Sequence, residues 1–186
     1  HAFQQAFFRN IFSIILIGPL VLYSGINIFK TNKMWLLLLR SLFGSLTMVL
    51  LFLSYTLIPL SQAITISFTT PLFIFLGGII FFKEKPNLFK TLALLLGFLF
   101  TIIALDPTIN ISFGCYVGLL AAIFHAIAGL IVKQLTKTES VLSLMFFMVI
   151  FMSIFTLIPA LFYWEIPKFK VTWFYFLLLA LVGTLG

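Results

Sequence analysis

Gln62, Thr65 and Thr69 follow one another at steps of three and four residues, which puts an amide and two hydroxyls on one face of a helix. Such a face either lines a cavity for a polar solute or bonds to a neighbouring helix. His125 lies near the middle of a long apolar run. There an imidazole can bind a solute, pass a proton, or donate to a backbone carbonyl. Arg9 and Arg40 each stand close to the start of an apolar run, where a guanidinium snorkels to water or draws a carboxylate or phosphate to the mouth of a cavity. Tyr55, like Tyr23, Trp35 and Phe73, offers a ring face to a planar or cationic group. These side chains bind; they do not assemble a reaction. The four carboxylates, Glu84, Asp106, Glu139 and Glu165, fall in loops or at the ends of apolar runs, His1 is far from His125, and Cys115 is the single cysteine. No catalytic residue, metal site or cofactor is expected from this inventory.

The elements that hold these residues must cross a membrane. Of the 186 residues, 63% are hydrophobic and 8% charged, and the mean hydropathy of +1.27 excludes a water-soluble domain. The formal charge of +7 is scattered between apolar runs and forms no basic face, so nucleic acid is not an expected partner. A bilayer core needs roughly 20 helical residues to cross. Seven stretches of about that size are predicted as spans: 11 to 29, 35 to 57, 60 to 82, 88 to 105, 113 to 132, 141 to 163, and 171 onward. Helices are required because backbone groups in hydrocarbon must bond within their own segment. The expected fold class is all-α, a polytopic transmembrane bundle.

Alternating the loops puts Lys30, Lys33, Arg40, Lys83, Lys85, Lys90, Lys133 and Lys137 on one side and Arg9, Lys168 and Lys170 on the other. The richer side is cytoplasmic by the positive-inside rule, so the first span runs inward. Pro71 interrupts the polar third span and predicts a bend there. Gly114, Gly118, Ala122 and Ala126, at steps of four, predict a close helix contact, and Ser41 with Ser45 makes a shorter version. Small-residue faces of this kind also admit a second copy of the chain, a homodimer.

The chain resembles itself. Phe7-Phe8, Pro19, Tyr23, Trp35 and Gly44 recur in order as Phe146-Phe147, Pro159, Tyr163, Trp173 and Gly183, at separations of 138 to 140 residues. That separation advances five crossings, an odd number, so the second copy is inverted in the membrane. Inverted repeats build secondary transporters whose central site opens to each side in turn. A five-span unit predicts ten spans in all. The chain starts at His1 and stops at Gly186 within an apolar run, so it is read as part of a longer protein: 1 to 106 as most of a first repeat lacking its first helix, and 107 to 186 as the start of a second.

Ala6-Phe7-Phe8-Arg9, Leu39-Arg40, Pro59-Leu60-Ser61-Gln62-Ala63, Ser67-Phe68-Thr69-Thr70-Pro71-Leu72-Phe73 and Lys83-Glu84 together resemble the drug/metabolite transporter superfamily in its EamA branch. Within that branch the chain resembles the S-adenosylmethionine uptake transporters of obligate intracellular bacteria, through Lys133, Glu139-Ser140 and Leu142 to Phe146. The resemblance implies ten helices in two inverted halves, a multi-pass protein of the bacterial inner membrane, and a small-molecule metabolite moved by alternating access. Sister branches export amino acids, drugs or other metabolites through the same architecture. The resemblance also raises the anion-attracting reading of Arg9 and Arg40, since the family carries Arg at these places. A membrane scaffold that transports nothing is the remaining alternative.

Overall fold

The computed structural model describes residues 2–24, 31, 33–104, 112–162, 164 and 170–185. Among them the chain forms eight helices: α1 Ala2–Ser24, α2 Met34–Leu57, α3 Leu60–Ser67, α4 Thr70–Phe82, α5 Leu88–Ala104, α6 Phe113–Leu135, α7 Val141–Phe162 and α8 Lys170–Leu185. The fold is an all-α transmembrane bundle. Among the described residues, five segments are long and apolar enough to cross a bilayer: Gln4–Tyr23, Met34–Leu57, Leu60–Phe82, Phe113–Leu135 and Val141–Phe162. Leu88–Phe100 and Trp173–Gly183 are shorter apolar stretches.

Two spans differ from the sequence expectation in an informative way. The first, expected over 11 to 29, is helical from Ala2, and positions 25–30 lie outside the described residues. Arg9 therefore sits inside a helix and not in the preceding loop. The third, expected as one helix with a bend at Pro71, is two helices separated at Phe68-Thr69. Pro71 lacks the N–H that would continue the ladder, and in the first turn of α4 that lack costs nothing. The junction is tightened by short bonds, Thr69 N–H to the Ile66 carbonyl at 3.0 Å and Leu72 N–H to the Thr69 carbonyl at 3.0 Å.

The chain divides into two compact units, residues 1–45 with 131–186, and residues 46–130. In the first unit α1 packs along α7, with α8 beside α1. Asn10 donates from its side-chain amide to the Thr156 hydroxyl at 3.3 Å, and seven residues further along α1 Ile17 shares a buried cluster with Val149, seven residues back along α7. The two helices are thus antiparallel. These contacts exchange under a shift of 139 residues, since Asn10 maps to Val149 and Ile17 to Thr156. A second exchange follows the same rule. Leu37 of α2 shares a buried cluster with Phe147 of α7, and the shifted pair, Phe176 of α8 and Phe8 of α1, stack with ring centroids 5.1 Å apart. Trp164 and Trp173 close on the same end of α1, at 5.8 Å and 5.1 Å from the Phe8 ring.

In the second unit α6 presents its small residues to the end of α2 and to α3. Ser54 donates its hydroxyl to the Gly114 carbonyl at 3.0 Å, a close approach that only a missing side chain allows. A Cβ built on Gly114 would stand 2.8 Å from Leu57 Cβ, and one on Gly118 would stand 3.0 Å from Ser54 Oγ and 3.4 Å from Ile66 Cγ2. The sequence expectation of a packing face here agrees with the structure. Gly18, by contrast, has open space where its Cβ would be.

Gly118→Val is expected to destabilise the protein by about 1–3 kcal/mol through overpacking, and Gly114→Val by at least as much. Gly18→Ala is expected to be neutral or to stabilise by up to about 1 kcal/mol. Thermal midpoints of the purified variants in one detergent check the order.

Candidate functional site

A cavity of about 380 Å³ opens within the second unit among the latter half of α2, α3, the start of α4 and the middle of α6. Its volume lies in the range of small-molecule sites. Periodicity explains the walls. Thr47, Leu51 and Tyr55 stand at steps of four on α2, and Ala121, Ala122 and His125 make one face of α6. The alanines leave the room that larger residues would fill, being 0% and 3% exposed. Ser67 and Phe68 come from the end of α3, and Thr70, Pro71 and Ile74 from the start of α4, because the break between those helices turns both into the same space.

The cavity's wall is mainly apolar, with a few polar side chains and no fixed charge among the described residues. Thr47, Tyr55, Ser67, Thr70 and His125 are the polar members of its lining, and among the described residues no carboxylate, Lys or Arg lines it. Ser67 already donates to the Ala63 carbonyl at 3.0 Å. Thr70 does not. Its hydroxyl is buried with no hydrogen-bond partner among the described residues, and the residue is only 6% exposed. A buried hydroxyl without a partner costs about 1–3 kcal/mol, and Thr70 carries that cost beside the cavity it helps to line. Tyr55 and Phe68 add ring surface beside it.

The structure brings two of the residues singled out from sequence to this cavity, Tyr55 and His125. The Gln62 amide nitrogen instead donates to Cys115 Sγ at 3.2 Å, tying α3 to α6. The Thr65 hydroxyl donates to the Ser61 carbonyl at 2.8 Å and that of Thr69 to the Ile66 carbonyl at 2.7 Å, both closing on their own backbone as short hydroxyl side chains do in helices. These three are not among the lining residues. Arg9 and Arg40 stand in the first unit, half-buried within their spans, with the Arg9 guanidinium against Gly183 and that of Arg40 against Gly44. Thr47, Ser67 and Thr70 complete the polar part of the lining; Ser67 and Thr70 belong to the polar stretch before Pro71 noted in the sequence, and Thr47 was not singled out. The step of four that joins Thr47 to Tyr55 was the available signal, and for Thr70 it was the adjacent Pro71, which marks a helix start. Among the described residues no three His, Cys, Asp or Glu side chains come together to hold a metal ion. A second hollow, of about 500 Å³, lies in the first unit and is walled by Gln5, Tyr175 and apolar side chains of α8.

Residues 1–105 match the model of the EamA-like transporter family. Over 169 residues the chain is 31% identical to the S-adenosylmethionine uptake transporter of Rickettsia felis, covering 90% of this chain and 58% of that protein. It is 27% identical over 190 residues to the pseudopaline exporter CntI of Pseudomonas aeruginosa, covering 100% of this chain and 66% of that one. It is 30% identical over 119 residues to the riboflavin transporter of Vibrio cholerae, covering 62% of this chain and 39% of that one. The chain spans about three-fifths of the length of the first two uptake transporters it matches, 58% and 63%. No solved structure matches it. The spans and the family together place it as a multi-pass protein of the bacterial inner membrane.

Thr70→Val keeps the shape of the side chain and removes the unpartnered hydroxyl. The ligand-free protein is therefore expected to gain about 1 kcal/mol or more in stability, read as a raised thermal midpoint in detergent. A lowered midpoint would show that the hydroxyl already has a partner.

Proposed function

The chain belongs to the EamA-like transporter family, and on that premise we propose that it forms part of a secondary carrier that moves a small polar metabolite by alternating access, with S-adenosylmethionine uptake as the favoured activity. The observation that carries the reading is the cavity of small-molecule size, whose lining has a polar group from each of Thr70, His125 and Tyr55. A membrane protein keeps such a group where binding repays its cost. The rings of Tyr55 and Phe68 suit a flat heterocycle or a sulfonium, and the hydroxyls suit a sugar. Gln62, Thr65 and Thr69 serve this site by holding α3, the wall that carries Ser67 and Phe68.

In this reading the repeat supplies the movement. Contacts of α1, α2, α7 and α8 that exchange under one shift support two inverted halves, and the exchange of their conformations opens the site first to one side and then to the other. Residues 1 to 106 and 107 to 186 then belong to the first and second halves of a ten-helix protein. Among the described lining residues His125 carries the one imidazole, and it is the candidate for coupling to protons. Export is the second reading, favoured by the likeness to the pseudopaline exporter along the whole chain.

Full-length protein reconstituted in vesicles is expected to take up labelled S-adenosylmethionine saturably and without ATP. Ala122→Phe, which fills the cavity, is expected to reduce uptake at least tenfold, and Thr70→Val to raise KM about fivefold or more, the loss of one hydrogen bond of about 1 kcal/mol. His125→Ala is expected to flatten the pH profile of uptake between pH 5 and 8. Uptake that persists in Ala122→Phe would remove the cavity from the transport path, and competition by riboflavin, amino acids and pseudopaline assigns the substrate.

A further inference from the structure

The hollow of about 500 Å³ between α1 and α8 has a filled twin in the same unit. Under the shift of 139 residues its walls Gln5, Tyr175 and Phe176 map to Leu144, Leu36 and Leu37. Those three residues pack in one cluster, together with Phe147, the counterpart of Phe8. What fills the twin is α6. Its Leu135, 0% exposed, is buried with Leu37, Leu144 and Phe147, and Ile131, one turn earlier, packs against the same cluster.

Burial follows the same difference. Gln5, Tyr175, Leu178, Leu179 and Val182 are exposed, Val182 by 73%, whereas their counterparts Leu144, Leu36, Leu39, Arg40 and Phe43 are all buried or half-buried. Exposure to lipid costs an apolar side chain nothing, so hydrophobicity alone calls for no cover here. The match of positions does, and so does Gln5, an amide inside the span that starts at Gln4, where its counterpart is a buried leucine. Shifted by 139 residues, Ile131 and Leu135 fall shortly ahead of His1. The relatives are longer than this chain, which covers 58% and 63% of two of the uptake transporters. Helix α6 reaches α7 through the short turn 136–140, and a helix joined to α1 by an equal turn lies beside α1, within reach of Gln5.

We infer that this hollow is the seat of a transmembrane helix that precedes α1 in the full-length protein, the inverted counterpart of α6. It sets two apolar side chains, one turn apart, on Tyr175 and Phe176, and offers a backbone carbonyl or hydroxyl to the Gln5 amide. This rests on the repeat in the carrier reading and adds a partner to it. Helix α6 sits on α2 of one half and α7 of the other, and by the same rule the leading helix bridges α1 and α8. Each half then begins with a helix that clasps the other.

The test is disulfide cross-linking of the full-length protein in membranes, in a Cys115→Ser background that keeps an acceptor for the Gln62 amide. Tyr175→Cys or Val182→Cys is paired with single cysteines scanned along the segment ahead of α1, and a protease site inserted between α5 and α6 is then cut. Leu36→Cys with Ile131→Cys, in the α6 seat, is the matched control. Tyr175 and Val182 are exposed, so their variants are expected to keep the wild-type thermal midpoint. Leading-segment cysteines at steps of three and four are expected to join the two fragments at about tenfold the yield of those between, since a disulfide forms only where Cβ atoms come within about 4.5 Å. Helices α2 and α6 run antiparallel, Leu37 meeting Leu135 and Ser54 meeting Gly114. The partners of Val182→Cys are therefore expected about two turns further from α1 than those of Tyr175→Cys. Joining without a helical period, or none while the control pair joins, overturns the inference and leaves the hollow to lipid. A dimer band from Tyr175→Cys or Val182→Cys alone puts a second copy there, and a cross-link to cysteines placed after α8, read by mass, puts a later segment there; both overturn it. Uptake of labelled S-adenosylmethionine before oxidation separates the two readings. Periodic cross-links in protein that transports nothing sink the carrier alone, and transport without them sinks this inference alone.

Discussion

The antiparallel seam between α1 and α7 organises the first unit. Hydrocarbon offers no hydrophobic drive between helices, so a pair is held by shape and by the few polar groups that find each other. Here those are the Asn10 amide and the Thr156 hydroxyl toward one end and the Ile17, Val21 and Val149 cluster toward the other. The seam is polar on one side of its midpoint and apolar on the other, although the two sides are built from equivalent positions. Helices α2 and α8 then dock on α7 and α1 through matched places, Leu37 against Phe147 and Phe176 against Phe8. A small set of local rules, applied twice, produces this half of the molecule.

The second unit solves a different problem, that of leaving space. Gly114 and Gly118 draw α6 tightly against Ser54 and Ile66 near one end, while Ala121 and Ala122 leave a gap one turn further on. The same stripe of small residues therefore does two things. Where a facing residue approaches it is a contact, and where the facing helix has broken it is a void.

Spans, helical class and the small-residue face were legible in the sequence because each follows from a pattern along a single helix: apolar length, charge at the ends, or glycine and alanine at steps of four. The polar site was only partly legible. Gln62, Thr65 and Thr69 share a face, but periodicity cannot say what that face meets, and two of the hydroxyls were nearer to their own carbonyls than to any partner. Pro71 was read as a bend in the third span, and the interruption falls just before it, at Phe68-Thr69, so that Pro71 stands in the first turn of α4 and Thr70, not Thr69, is among the cavity's lining residues. Arg9 was assigned to a loop because charge usually ends a span. The open backbone at Gly183, far off in the chain, is what lets it sit within one.

The division of the third span has a mechanical meaning. A piece of eight residues is barely two turns, too short to stand as a helix by its own ladder. Its stability is borrowed from Ile58, Ala63 and Ile66, which are packed as one cluster with Tyr55 and Cys115 leaning on it. This strut is fastened at its side and joined to the longer rod by a tightened turn, so a tilt of it is carried into that rod. Whatever leans on that strut feels the tilt first, and Ser67 and Phe68 are at its tip.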